Sequence, residues 1–261
     1  MNHLQEPDTN PATAPSTKLV LLSGWGIDAR IWQPLAPYWP ADISVTAPDW
    51  PGMGKRPALA QPDSPEALAK AMEDDLPADA IWVCWSLGAL QAALLSQTLS
   101  PPQGLMLLGM GHRFCHPHGV SKSELAQFHR AFLHDPVAAR ESFLRWQASG
   151  EPSLRDAVRQ LRTLLAADSP PDVETLEAGL KLLTHADISA TLTNFPGFVV
   201  TLCGAQDPLL APEVRDGMNV QLPSAGHCPM LSQPEALADT IVHQARQMRH
   251  AISSDREPIS S

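Results

Sequence analysis

Apolar runs and amphipathic stretches take turns along most of this chain. Residues 18–23 (KLVLLS), 43–47, 80–85 (AIWVCW), 104–108 and 198–203 (FVVTLC) read as strands, and 218–222 as a weaker sixth. Continuous apolar runs bounded by Gly or Pro predict strands buried on both faces rather than half-exposed ones. Helical patterns over 64–75, 87–99 and 234–248 separate them. Strands alternating with helices predict a mostly parallel sheet covered on both sides, an α/β class.

From residue 112 to 191 the rhythm changes. No strand pattern occurs there, and helical patterns cover 124–133, 136–147, 154–166 and 173–184. The expected organisation is a core of residues 18–111 and 192–250, interrupted by a helical insert over 112–191. Residues 1–17 and 251–261 are polar and loose, and are expected to be disordered.

Composition narrows the function. The 261 residues carry 18 Lys and Arg against 28 Asp and Glu, a formal charge of −10, so nucleic acid is not an expected partner. No apolar run approaches the roughly 20 residues of a membrane span. The start shows no basic patch followed by an apolar stretch, so no secretory signal is expected. Cys84, Cys115, Cys203 and Cys228 show no paired spacing, and read as reduced thiols of a cytoplasmic protein, expected to be a monomer.

The chemistry centres on Cys84-Trp85-Ser86-Leu87-Gly88, where an apolar strand runs straight into a serine and then an apolar helix. That context predicts a nucleophile elbow: a sharp turn that projects the hydroxyl past the strand end, with small residues two before and two after to avoid collision. The following helix would aim its free N–H groups at a developing oxyanion. A plain helix cap is the alternative reading of Ser86. The expected partners come in the order Ser, acid, His. Asp207 follows the strand at 198–203, and His227 lies in the loop before the last helix, both at the sheet edge of Ser86. Asp216 is the rival acid. The backbone N–H groups of Trp25, between Gly24 and Gly26, and of Leu87 are the expected oxyanion donors. The loop Asp49-Trp50-Pro51-Gly52-Met53-Gly54 reads as structural. The run from His112 to His118 is rich in ligand types, but Pro117 and the clustering in one loop make three converging ligands hard to supply, so no metal site is expected and the run reads as a loop lining the pocket mouth. Cys84 and Cys228 read as packing residues.

Together these segments resemble the α/β-hydrolase superfamily over nearly the whole ordered chain. Within it, LLSGWGIDARIW, DWPGMGKR and the Trp-Ser-Leu-Gly elbow resemble the pimeloyl-[acyl-carrier protein] methyl ester esterases of biotin synthesis. Ser23 stands where that family usually has His, and Cys84 where it usually has Gly. The resemblance implies a serine carboxylesterase that hydrolyses the methyl ester of a pimeloyl chain on acyl carrier protein, with no cofactor. It also implies substrate contacts at Trp25 and along Phe143, Leu144, Arg145, Trp146 and Gln147, and it makes the insert a lid. Arg140, Arg145, Arg155, Arg159 and Arg162 form a basic island in this acidic chain, with 155, 159 and 162 on one helical face. They are the expected dock for an acidic carrier, an ordinary solvated face being the alternative. Two rival functions use the same fold: a hydrolase of other small acyl esters or of carbon–carbon bonds, and a catalytically silent binding module.

Overall fold

The computed structural model describes residues 17–165 and 170–254. The expectations for residues 1–16, 166 and 255–261 lie outside it. Six parallel strands, β1 (Thr17–Leu22), β2 (Ile43–Thr46), β3 (Ile81–Trp85), β4 (Gly104–Leu108), β5 (Phe198–Gly204) and β6 (Val220–Leu222), form one sheet in the order β2-β1-β3-β4-β5-β6. The continuous apolar runs have a simple cause. Val20, Leu22, Trp82, Cys84, Leu105 and Leu107 enter one core, while Leu19, Leu21, Ile81, Val83, Trp85 and Met106 enter the other. Alternate residues face opposite ways, so covering both faces demands apolar side chains throughout.

Helices α1 (Pro65–Met72) and α2 (Leu87–Leu95) pack into the first core. Helix α2 is apolar nearly all round, as a helix enclosed on every side must be. The second core is closed by a 3-10 segment, Ala29–Tyr38, and by the last helix of the chain, Pro234–Ser254. The 3-10 segment carries Pro34 and Pro37, which is why no helical periodicity announced it.

Between β4 and β5 lie α3 (Lys122–His134), α4 (Pro136–Gln147), α5 (Leu154–Leu165), α6 (Val173–His185) and α7 (Ser189–Thr193). Helix α3 starts at a capping box in which Ser121 and Glu124 satisfy each other's backbone N–H groups. Helices α3 and α6 join the first core and α5 the second. Helix α4 serves both, with Phe143 in the first and Leu144 in the second, so it crosses the edge of the sheet. After β5 come α8 (Pro212–Asp216), then β6, then α9 (Pro229–Ser232) and α10 (Pro234–Ser254).

Two terminal expectations need correction. Thr17 belongs to β1, held by its N–H on the Asp42 carbonyl at 3.0 Å. Helix α10 runs on to Ser254, through residues expected to be loose, because Arg249 reaches the Thr17 hydroxyl at 2.8 Å and Arg246 reaches Asp42. Among the described residues no helix is long and apolar enough to cross a membrane.

The insert is keyed into the core at one turn. A Cβ on Gly150 would lie 2.1 Å from the Gln206 carbonyl, and one on Gly226 would lie 2.8 Å from a Glu151 carboxylate oxygen. Glu151 is buried, accepts the Cys228 N–H at 2.6 Å, and accepts the Ser232 hydroxyl. Removing the carboxylate leaves the buried Cys228 N–H without a partner, at a cost of about 1–3 kcal/mol, whereas the half-buried Ser232 hydroxyl can turn to water. Glu151→Ala is therefore expected to lower unfolding free energy by about that much in denaturant titration. Glu151→Gln, which keeps an acceptor oxygen, should lose less. An Ala variant as stable as the parent would mean that packing alone holds this turn.

Candidate active site

Strand order reverses between β1 and β3: the chain steps outward from β1 to β2, then returns to the other side of β1. Ligands of open parallel sheets bind at the carboxyl ends of the strands beside such a switch. Leu22 pairs with Cys84 in register, so the chain past the end of β1, from Ser23, lies beside Trp85, the last residue of β3. Ser86, the next residue, has φ 55° and ψ −126°, and among the described residues it alone has positive φ without being glycine. Such a backbone costs on the order of 1–3 kcal/mol and persists only where its surroundings enforce it. Here Ser86 N donates to the Leu108 carbonyl at 2.9 Å, and Ala89 N donates to the Ser86 carbonyl at 2.9 Å.

The glycines around the turn are required by contact. A Cβ on Gly24 would sit 3.0 Å from the Ser86 Cβ, and one on Gly88 would sit 2.5 Å from the Ser23 carbonyl oxygen. The loop of β1 thus lies directly against the serine turn. The Trp50 indole fixes it by donating to the Ser23 carbonyl at 2.8 Å, a structural task for the loop that carries it. Helix α2 begins immediately after Ser86 with no side-chain cap, which leaves the Leu87 and Gly88 N–H groups, ahead of the Ala89 bond, for a ligand.

Asp207 and His227 meet at the same edge. Both side chains are fully buried, with His227 Nδ1 2.7 Å from Asp207 Oδ2. A carboxylate can only accept, so Nδ1 carries the proton, and in a neutral imidazole that leaves the lone pair on Nε2. No group among the described residues partners that Nε2. The other Asp207 oxygen accepts the Leu209 N–H at 2.9 Å, which fixes the carboxylate. The rival, Asp216, is exposed at the end of α8. Cys84 and Cys228 are buried neighbours of Ser86 and His227, and burial holds both thiols well above their ordinary pKa. They are neutral packing groups, and Cys203, pushed up to about 12 chiefly by burial, is another.

Trp25 is buried, and its indole donates to the Leu176 carbonyl of α6 at 2.8 Å. Its ring packs edge-on against Phe128, Phe132 and Phe143 of the insert. Trp146 stacks edge-on against Phe143, Leu144 joins the opposite core, and Arg145 is exposed. Gln147 is fully buried, and neither of its amide atoms has a partner among the described residues. The stretch from Phe143 to Gln147 therefore does not act as one surface.

The arginines separate too. Arg145, Arg155, Arg159 and Arg162 line one surface cavity of about 850 Å³ with Leu154, Val158 and Thr163. Arg159 pairs with Asp156 at 2.7 Å, and the Arg162 Nε donates to Glu141 at 2.9 Å. Arg140 is not in this groove. It donates to the Gly26 carbonyl at 2.9 Å, and burial lowers its pKa.

Three residues at the site have no role of their own in the sequence reading. Gly109, at φ +64°, leaves the space that His227 uses; a Cβ there would be 3.0 Å from the imidazole. Trp85 donates to the His227 carbonyl at 2.8 Å, with the two rings 5.4 Å apart. Glu151 holds the amide that follows His227. A glycine just past β4 was the one readable sign among them.

A family model described as the alpha/beta hydrolase family matches residues 19–240. A protein of Aromatoleum aromaticum named pimeloyl-[acyl-carrier protein] methyl ester esterase is 34% identical over 84% of this chain and 94% of its own. One of the same name from Methylococcus capsulatus is 34% identical over 87% and 93%. Among solved structures, a hydrolase from Oleispira antarctica superposes with a TM-score of 0.75 at 17% identity, covering 89% of this chain and 92% of that one, which speaks for the fold. With a buried serine turn at the switch of a parallel sheet, and likeness running through both the core and the insert, the chain belongs to the alpha/beta hydrolase family, alongside relatives named pimeloyl-[acyl-carrier protein] methyl ester esterase.

Proposed function

We propose that this chain is a serine carboxylesterase that hydrolyses the methyl ester of a pimeloyl group carried on acyl carrier protein. The observation that carries the reading is the buried His227–Asp207 pair, its Nε2 unpartnered, at the sheet edge where Ser86 is held in a strained turn. The names of the relatives supply the substrate. In this reading Ser86 Oγ attacks the ester carbonyl carbon and His227 Nε2 takes its proton. Asp207 keeps the imidazole oriented and steadies its positive charge. The N–H groups of Leu87 and Trp25 receive the oxyanion. Methanol leaves with the proton from Nε2, and the acyl group remains on Ser86. Water then gives a proton to Nε2, attacks the acyl carbonyl, and releases a carboxylate and free Ser86. The four free thiols fit a reducing compartment such as the cytoplasm.

The carrier would meet the insert at the arginine groove. Both proteins being acidic, a local basic surface is what would steer them together. Arg145 and Arg155 supply most of that charge, since Arg159 and Arg162 share theirs with carboxylates. The neutral loop around Trp25 and the aromatic cluster would line the acyl path. A hydrolase of free small esters uses the same triad without the groove, and that difference separates the two readings.

A fluorophosphonate should label Ser86, and Ser86→Ala should abolish labelling and cut ester turnover by roughly ten-thousand-fold or more. Asp207→Asn should keep the labelling site but slow it strongly, because the amide can stabilise the wrong imidazole tautomer. Labelling mapped to another residue would reject the assignment.

The groove is tested by Arg145→Ala with Arg155→Ala, which leaves the Arg162–Glu141 tie between α5 and α4 in place. At low salt the pair should lower kcat/KM for the carrier-linked ester by about tenfold or more, and turnover of a small free ester should hardly change. Raising salt should shrink the difference. Equal losses on both substrates would mean that the arginines support the insert rather than the carrier.

A further inference from the structure

The run from His112 to His118 leads from β4 into the insert, and taken alone it lacks a ligand from another segment. The fold supplies one. Glu213, in the first turn of α8, stands beside His116 and His118, and one donor atom from each of the three lies within 4.8 Å of the other two. His118 Nδ1 is 2.5 Å from Glu213 Oε1, and His116 Nδ1 is 3.6 Å from the same oxygen.

The convergence is built into the backbone and does not depend on long side chains alone. His116 N donates to the Val120 carbonyl at 2.9 Å, and Gly119 N donates to the His116 carbonyl at 3.2 Å, closing a tight loop. Pro117 restricts the torsion between the two rings. A Cβ on Gly119 would lie 2.9 Å from Ala211 N, so this loop rests directly on the chain that starts α8. Two elements some 95 residues apart therefore present their ligands from fixed positions.

We propose that His116, His118 and Glu213 bind one divalent cation of the Zn2+, Ni2+ or Cu2+ class. Two imidazoles and a carboxylate suit these borderline ions, whereas Mg2+ and Ca2+ favour oxygen donors alone. Ligand bonds near 2.0–2.1 Å in tetrahedral array need donors about 3.3 Å apart. The side chains of His118 and Glu213 are 73% and 46% exposed, so small rotations close the remaining gap. Coordination through His116 Nδ1 replaces the hydrogen bond it now accepts from the His118 N–H at 3.2 Å. Solvent reaches the cluster and completes the coordination shell.

The site has a mechanical consequence. Arg215, on the same helix as Glu213, donates to the carbonyls of Asp207 at 2.6 Å and Leu210 at 2.9 Å. A bound ion thus clips the entry of the insert to the helix that braces the Asp207 loop. This reading is independent of the esterase assignment, because none of its residues belongs to the proposed triad.

The test is calorimetric titration of the full chain with Zn2+ at pH 7.5, after treatment with a chelator and its removal. One ion per chain is expected, with a rise in melting temperature and no competition from excess Mg2+. His118→Ala and Glu213→Gln, both at exposed positions, should each weaken binding by about tenfold or more and remove the melting shift. His243→Ala, on the exposed face of α10, should leave both unchanged. Each variant should melt like the parent in the presence of chelator, which separates lost binding from lost folding. Failure of the parent chain to bind Zn2+, or equal affinity in His118→Ala and Glu213→Gln, would overturn the proposal.

Discussion

The left-handed backbone of Ser86 is the constraint from which the rest of the site follows. A serine placed there points past the end of β3 only if the loops beside it keep clear. Gly24 and Gly88 give that clearance, because any larger residue would strike Ser86 or the Ser23 carbonyl. The parallel register of β1 and β3 brings the two loops together, and the Trp50 indole holds the Ser23 carbonyl in place. Strain at one residue is thus distributed over two strands, one helix and one tryptophan.

The insert is fastened to this site rather than laid over it. Trp25 links them on one side, through its bond to Leu176 and its contacts with three phenylalanines. Glu151 links them on the other, through the amide of Cys228. Helix α4 runs between the two anchors and feeds both cores. Movement of the insert as a rigid lid would have to break buried contacts at each end, so any opening has to come from the segments between them. The basic groove sits on the outer side of that assembly, where a partner can reach it without disturbing either anchor.

Much of this was legible in the chain, and the reasons are physical. The strands were readable because burial on both faces leaves no polar positions, as in 80–85. The serine was readable because the elbow restricts its flanks to small residues, and Cys84 meets that need as a fully buried neutral thiol. That Asp207 and His227 would meet at one sheet edge followed from their places past strand ends. What stayed hidden depends on long-range contact. Glu151 reads as an ordinary surface acid until Cys228 is brought to it from 77 residues away. Arg140 shares its charge with the groove arginines, yet its side chain turns inward to Gly26. The 3-10 segment was masked by its own prolines, and α10 outran its expected end because its last turns are tied to β1 and Asp42.

The central claim is that the site cleaves a terminal ester and spares the rest of a carrier-bound chain. The most direct test is to incubate the purified protein with acyl carrier protein bearing a pimeloyl methyl ester, then weigh the carrier by mass spectrometry and assay for methanol. The account predicts a carrier lighter by one methylene, its pimeloyl group still attached, with methanol released in equal amount. A carrier stripped of its acyl group, with the monomethyl ester of pimelic acid in solution, would contradict it.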